Sequence, residues 1–393
     1  MKILIVHNAY QQRGGEDTVV NAELALLRAY GHEVEFYCRS NNELRDMLPL
    51  KAAGAAFWNA SAARQIDRLC ATFKPDLIHV HNTFPLISPA FFQSAARRHI
   101  PLVQTLHNFR LLCPQGMLLR EGKICRDCIG KPPWRAITHR CYRASLSQSA
   151  VAAGVLALHR QRGTYAQHVT RFIALNTFCR ETFIRGGLPA ERLSIKPHFV
   201  RAPAPVAEDA PRTGGLFVGR LSAEKGIEVL CDAMATLPEQ GLQIIGDGPL
   251  APQVIACFSE HCLGTQSPAA VLRLLQRAAW LVAPSICYET FGMSIIEAFA
   301  CGTPVIASAH GAYAELVRDG VNGLLFTPGD ARDLARKIEW ATAHPAHMRR
   351  MGQSARQEYE LHYTPQRNHD LLMGIYEQAI EARQRHPHAA PIC

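Results

Sequence analysis

Five stretches of this 393-residue chain carry residue types that do chemistry, at spacings that could bring them together. In PSICYETFGMSIIEAFACGTPVIAS, Glu289 ends a strand-and-loop segment, Gly292 permits a close backbone approach at a helix start, and Glu297 lies further along that helix. A carboxylate in so apolar a helix as SIIEAFA is costly without a hydrogen-bond partner, and ribose hydroxyls are suitable partners. The amides of Gly292 and Met293 suit phosphates. In VGRLSAEKGIEVL, Arg220 and Lys225 flank a strand-to-helix turn and could clamp a pyrophosphate; solvated surface charge is the plain alternative. In IIGDGP, Gly246 and Gly248 follow a strand, where a flat base could lie on exposed backbone. In HNAYQQRGGEDTVV, Gly14 and Gly15 open a helix, so their amides suit an anion or a closely approaching substrate, or else form a simple turn.

The fifth stretch is CPQGMLLREGKICRDC, with Cys141 following in THRCYR. Cys125 and Cys128 have the Cys-x2-Cys spacing of half a zinc site, and Cys113 and Cys141 could complete a tetrahedral set, with His139 as a substitute. Four protein ligands leave no open position, so zinc here would be structural. The other reading is four reduced thiols in a compact loop.

The elements that must position these residues follow from periodicity. KILIVHN, EVEFYCR, DLIHVHN, PLVQTLH and RFIALN read as strands separated by helical stretches, among them GGEDTVVNAELALLRAYGH and SLSQSAVAAGVLALHR. Such alternation gives a parallel sheet covered by helices on both faces. After VRAPAPVAEDAPRTGG, which lacks periodicity, GLFVGR, LQIIGDG, WLVAPS, TPVIAS and NGLLF repeat the pattern. The expected organisation is therefore a Rossmann-like domain over 1–199, with a Cys-rich insertion at about 108–145, and a linker over 200–214. A second Rossmann-like domain over 215–365 and a C-terminal helix and tail over 366–393 complete it. Two doubly wound sheets facing a cleft would bind ligands at the carboxyl ends of their strands.

Composition narrows the class. With 48% hydrophobic and 19% charged residues the chain is globular, and it contains no apolar run of membrane-spanning length. Its start lacks the pattern of a signal peptide, so a cytoplasmic location and reduced thiols are expected for the thirteen cysteines. A net charge of +9 would serve nucleic acid, an anionic membrane face or phosphorylated small molecules alike. His79, His81, His159 and His168 lie near apolar runs and read as packed or surface histidines.

Together GRLSAEKG, GDGP, the E-x7-E of YETFGMSIIEAFACGTPVIAS and the following VRDGVNGLLF resemble glycosyltransferase family 4, retaining enzymes of the GT-B fold. RGGEDTVV and the strand ending in TLHN extend the resemblance to the first half, in a subgroup with a four-cysteine insertion. The α/β architecture implied is two Rossmann-like domains, the first (1–199) on the acceptor side and the second (215–365) binding the nucleotide sugar, with C-terminal helices returning to the first. The activity implied is transfer of a sugar from a UDP- or GDP-sugar to a hydroxyl of a glycan or lipid-linked acceptor, as in polysaccharide synthesis. No cofactor is implied for catalysis. By similarity Glu289 would bind the donor sugar's hydroxyls and Glu297 the ribose. Arg220 and Lys225 would bind the leaving pyrophosphate, with Phe291, Gly292, Met293, Gly246 and Gly248 lining the donor. Gly14 and Gly15 would lie between diphosphate and acceptor, and His107 near the transferred sugar. Three departures stand out: the segment between GDGP and CLGTQSP is short, which leaves UDP against GDP open; Asn108 replaces the usual acidic residue after the histidine; and the frequent glycine pair is Gly311-Ala312.

Two other readings remain at this level. One is a nucleotide-sugar epimerase of the same fold. The other is a basic, Cys-rich nucleic-acid-binding protein, although no base-reading helix is evident. The basic stretch RASLSQSAVAAGVLALHRQR could rest on an anionic membrane or form an internal helix of the first domain.

Overall fold

The computed structural model describes residues 1–11, 14–204, 211–237 and 241–385. They form two compact units. The first comprises Met1–Met117, Arg126–Lys196 and the chain from His369; the second comprises Leu118–Cys125 and Pro197–Asn368. Residues 205–210 of the expected linker, and the chain end from 386, lie outside the described residues. Residues 197–204 carry neither helix nor strand and group with the second unit. They are held by the Tyr359 hydroxyl, which donates to Val200 O at 2.9 Å and accepts from Ala202 N at 3.1 Å.

In the first unit the strands are β1 (Lys2–Ala9), β2 (Glu33–Ser40), β3 (Leu77–Asn82) and β4 (Leu102–Thr105). After the short hairpin β5 (Leu119–Arg120) and β6 (Lys123–Ile124), which groups with the second unit, come β7 (Arg171–Ala174) and β8 (Leu193–Ile195). The sheet order is β2-β1-β3-β4-β7-β8, parallel throughout. Its inner strands β1, β3, β4 and β7 are the buried runs expected of a sheet covered on both faces, while the edge strands β2 and β8 are mostly exposed or half-buried. The three-residue edge strand β8 and the hairpin were not legible, being too short for a period to show.

One face of this sheet carries Ile3, Ile5, Leu77, Val103 and Ile173. It is covered by Val20, Leu24 and Leu27 of the helix Gly15–Ala29 and by Leu372, Ile375, Tyr376 and Ala379 of the helix Pro365–Arg385. The helix Leu146–Gln161 buries Ser149, Ala152, Ala153, Val155, Leu156 and His159. Its apolar side is thus part of the unit's own packing.

The second unit holds β9 (Gly215–Val218), β10 (Gln243–Ile245), β11 (Trp280–Ala283), β12 (Val305–Ser308) and β13 (Gly323–Phe326), in the parallel order β10-β9-β11-β12-β13. The order reverses between β9 and β11. The crevice outside the carboxyl ends of those two strands is the ligand-binding position of such sheets. Among the described residues no helix is long and apolar enough to cross a membrane.

Candidate functional site

The loops after β9 and β11 meet at that crevice. Gly226, at φ +73°, ends the turn after β9, and a Cβ there would lie 1.9 Å from Pro284 O. Only glycine permits both the left-handed backbone and this approach. Ile286 N also donates to Glu224 O at 3.0 Å, tying the two loops together. The result is that Lys225 Nζ sits 2.7 Å from Glu289 Oε1.

Glu289 Oε1 also accepts from Ser285 Oγ at 2.7 Å, while Oε2 has no partner among the described residues. Burial pushes the Glu289 pKa up, but the Lys225 charge and the hydrogen bonds from Lys225 and Ser285 outweigh it and hold the carboxyl below its usual range. Lys225 is raised in turn, the Glu289 charge overcoming its desolvation. The pair is ionised at neutral pH. Tyr313 stands behind it, its hydroxyl 3.4 Å from Ser285 Oγ, and His310 Nε2 donates to Ser285 O at 2.9 Å. Ser285, Tyr313 and His310 were not singled out in the sequence; the one signal was Ser285 four positions before Glu289.

Glu297 stands on the helix Met293–Ala300, and burial alone raises its pKa to about 7. No side-chain hydrogen bond from the described residues offsets that cost. Since an unfolded glutamate titrates near 4.3, the raised folded pKa of about 7 supplies stability that is complete below the unfolded value and lost as pH rises through 7. Glu297→Gln is therefore expected to show a smaller drop in urea midpoint between pH 5 and pH 8 than the unaltered chain. Equal drops in both would contradict this assignment.

Gly292 caps that helix at φ +159°, where a Cβ would come within 3.0 Å of Leu316 and Tyr313 side-chain atoms. Gly246 has a Cβ position 1.8 Å from Gly219 O, so the loops after β10 and β9 also abut. Gly248 and Met293 are half-buried, and Arg220 is exposed on the loop that carries Lys225. Phe291 differs from expectation: its ring is 4% exposed and packs edge-on against His198 and Tyr363. An apolar ring so placed is a packing element, which leaves the backbone as its only route to a donor.

In the first unit, His107 follows β4 and its Nε2 lies 2.8 Å from His81 Nδ1. Gly14 and Gly15 do open the helix Gly15–Ala29, but the Gly14 N–H donates to Asp17 Oδ2 at 3.1 Å. That amide is already satisfied, and Glu16 and Asp17 place two carboxylates where an anion was expected. Asn108 is explained by the same neighbourhood. Its Nδ2 donates to Tyr10 Oη at 3.3 Å and Glu16 Oε2 at 3.4 Å, so an acid here would set two carboxylates against each other.

Among the described residues, one set of three metal-ligand-type side chains has ligand atoms within 4.8 Å of one another: Glu23, His79 and His81. Cys113, Cys125, Cys128 and Cys141 are not such a set. Cys113 closes a turn on Phe109 O, Cys125 follows the hairpin, and Cys128 and Cys141 stand on separate turns beyond it. Arg160 organises part of this insertion, its guanidinium donating to the carbonyls of Leu111, Leu112, Cys128 and Lys131. Lone arginines in helices carry no sequence signal of this kind.

Comparison with known proteins matches residues 14–198 to a glycosyl transferase 4-like domain and residues 208–358 to the glycosyl transferases group 1. The chain is 30% identical over 416 residues to a D-inositol 3-phosphate glycosyltransferase of Mycobacterium sp. (strain KMS), covering 96% of this chain and 88% of the relative. It is 28% identical over 306 residues to a glycogen synthase of Mycobacterium tuberculosis, covering 73% of this chain and 64% of that one. Among solved structures, Anabaena Alr3699/HepE in complex with UDP aligns at a TM-score of 0.64 and 20% identity over 98% of this chain and 100% of that one. Sucrose-phosphate synthase from Thermosynechococcus elongatus aligns at 0.69 and 19% over 97% and 99%. Matching domain models in both halves, a relative similar along almost the whole chain, and two Rossmann-like units place this protein among the GT-B glycosyltransferases, the family to which it belongs.

Proposed function

We propose that the protein is a retaining transferase of glycosyltransferase family 4 that moves a sugar from a nucleotide diphosphate sugar to a hydroxyl of a glycan or lipid-linked acceptor. The observation that carries this reading is the Lys225–Glu289 pair at the strand-order reversal of the second sheet. Glu289 Oε1 is taken up by Lys225 and Ser285, which fixes the carboxylate and leaves Oε2 to accept hydroxyls of a donor sugar. Lys225 spends one of its three N–H donors on Glu289 and offers the remainder to a phosphate. Breaking the glycosidic bond builds positive charge on the sugar and negative charge on the departing phosphate, so a cation already in place stabilises the transition state. Glu297 is matched to ribose hydroxyls, which would supply the partners its carboxyl lacks. The relatives support the donor class: Anabaena Alr3699/HepE was solved with UDP and with UDP-glucose.

The test is a panel of UDP- and GDP-sugars in thermal shift, followed by product analysis with radiolabelled donor. A donor at 100 times its Kd should add about 2.7 kcal/mol to the unit that binds it. Label should leave the nucleotide for a new acceptor with its anomeric configuration kept. Label that stays on the nucleotide would support the epimerase reading, and an inverted product would overturn retention.

A further inference from the structure

β4 carries a polar side chain that the packing of the first unit leaves unused. Val103 lies in the core beneath the helices Gly15–Ala29 and Pro365–Arg385, so the alternation of the strand turns Gln104 to the opposite face, towards the helix Leu146–Gln161. Gln104 is 5% exposed, and its Oε1 is buried with no hydrogen-bond partner among the described residues. An amide oxygen so placed carries a desolvation cost that Met, a side chain of similar length, would avoid. What the amide adds is an acceptor aimed into a cavity.

That cavity, of about 60 Å³, is lined by the ends of β3 and β4, the segments that follow them and the helix Leu146–Gln161. Ala152, Val155 and Leu156 of the helix make one wall, buried and wholly apolar. Arg110 belongs to another. Its guanidinium carbon lies 4.7 Å from the centre of the Phe84 ring and 5.3 Å from that of Tyr142, and its Nη1 donates to Pro114 O at 3.0 Å. Among the described residues no carboxylate forms an ion pair with it. A cation held in place thus keeps N–H groups for a ligand oxygen.

Size and chemistry restrict what fits. One benzene ring occupies a cavity of roughly 150 Å³, so about 60 Å³ excludes a sugar ring and admits a substituent of a few non-hydrogen atoms. That substituent must donate to Gln104, accept from Arg110 and set an apolar end against the helix. A hydroxymethyl group lacks the apolar end, and an ionised carboxylate has no hydrogen to donate. An acetamido group has all three parts. We propose that this cavity is a subsite for the acetamido group of an N-acetylated sugar. Its N–H donates to Gln104 Oε1, its carbonyl accepts from Arg110, and its methyl lies against Ala152, Val155 and Leu156, with the sugar ring outside. The acceptor or the donor could bring such a group; that use rests on the glycosyltransferase reading above, whereas the binding does not.

The experiment is saturation-transfer NMR on the full chain with two probes, methyl N-acetyl-α-D-glucosaminide and UDP-N-acetylglucosamine. Each is compared with its counterpart lacking the acetamido group, methyl α-D-glucoside or UDP-glucose. The probe that carries the group into the cavity is expected to bind about tenfold more tightly than its counterpart, with the acetyl methyl its most strongly saturated part. Gln104→Met should weaken that probe by about 3–10-fold, the loss of one hydrogen bond. Weakening of the methyl glycoside alone assigns the group to the acceptor, and weakening of the UDP-sugar assigns it to the donor. The proposal is overturned if neither N-acetylated probe exceeds its counterpart, or if Gln104→Met binds both as the unaltered chain does. Should Gln104→Met not fold, Ala152→Val, which fills the place of the methyl, is read in the same way. Label that stays on the nucleotide in the transfer assay would count against the glycosyltransferase reading and leave these binding results standing.

Discussion

Exchanging Lys225 for Met is expected to slow sugar transfer by roughly 10²–10³-fold, and exchanging Glu289 for Gln to do about the same, with both chains still folded. The size follows from removing one preorganised group at a site of developing charge, worth about 3 kcal/mol of barrier. The two effects share an origin. Without Lys225, the Glu289 carboxylate keeps Ser285 but loses the charge that offsets its burial, so it takes up a proton and becomes a poorer acceptor. Without the Glu289 charge, Lys225 loses the contact that holds its Nζ in place. The double variant should thus be far less than the product of the single ones. Initial rates with saturating donor, with circular dichroism as the check on folding, measure all three. Single variants within fivefold of the unaltered rate would remove the pair from the chemistry.

The largest expected effect on stability is elsewhere. Tyr376→Ala should destabilise the first unit by about 3–5 kcal/mol, the range for deleting a large buried ring. The ring is fully buried against Ile3, Ile5, Leu24 and Leu77, and its hydroxyl is 2.7 Å from His79 Nδ1. Tyr376→Phe keeps the packing and strands one polar atom, for an expected cost of about 1–3 kcal/mol. A two-unit chain need not unfold in one step, so the measurement is hydrogen exchange read by segment. Protection should fall in β1, β3 and β4 while β9 and β11 keep theirs. Equal loss in all five strands would show the units to be energetically inseparable.

The strands beside the candidate site were legible because buried parallel strands are apolar runs: LQIIGDG and WLVAPS became β10 and β11 with their glycines and Glu289 just beyond. The chemistry of the second unit was legible as residue types at loop positions. Its geometry was not, since Lys225 and Glu289 are brought together by a close backbone approach at Gly226 that no local period announces. The histidines of β3 read correctly as packed, yet Glu23, which stands beside them, was invisible. In a helical pattern one acid among VVNAELALL looks like any solvated position, and only the partner Lys196, far along the chain, shows that it faces inward. At Gly14 the sequence left an anion site and a simple turn both open, because the Asp17 that accepts from its amide looks from sequence like a favourable helix-start charge.

The covering of one sheet face by the helix Pro365–Arg385 also sets a clock on the protein's synthesis. The strands that helix protects, β1, β3, β4 and β7, are complete once residue 174 has been made, but Tyr376 follows about 200 residues later. At ~5–20 residues per second, that face of Ile3, Ile5, Leu77, Val103 and Ile173 waits roughly 10–40 s for its cover. The second unit, almost continuous in sequence, has all its strands by Phe326 and can finish first. A nascent chain stalled before residue 365 is therefore the form in which this protein most needs a chaperone.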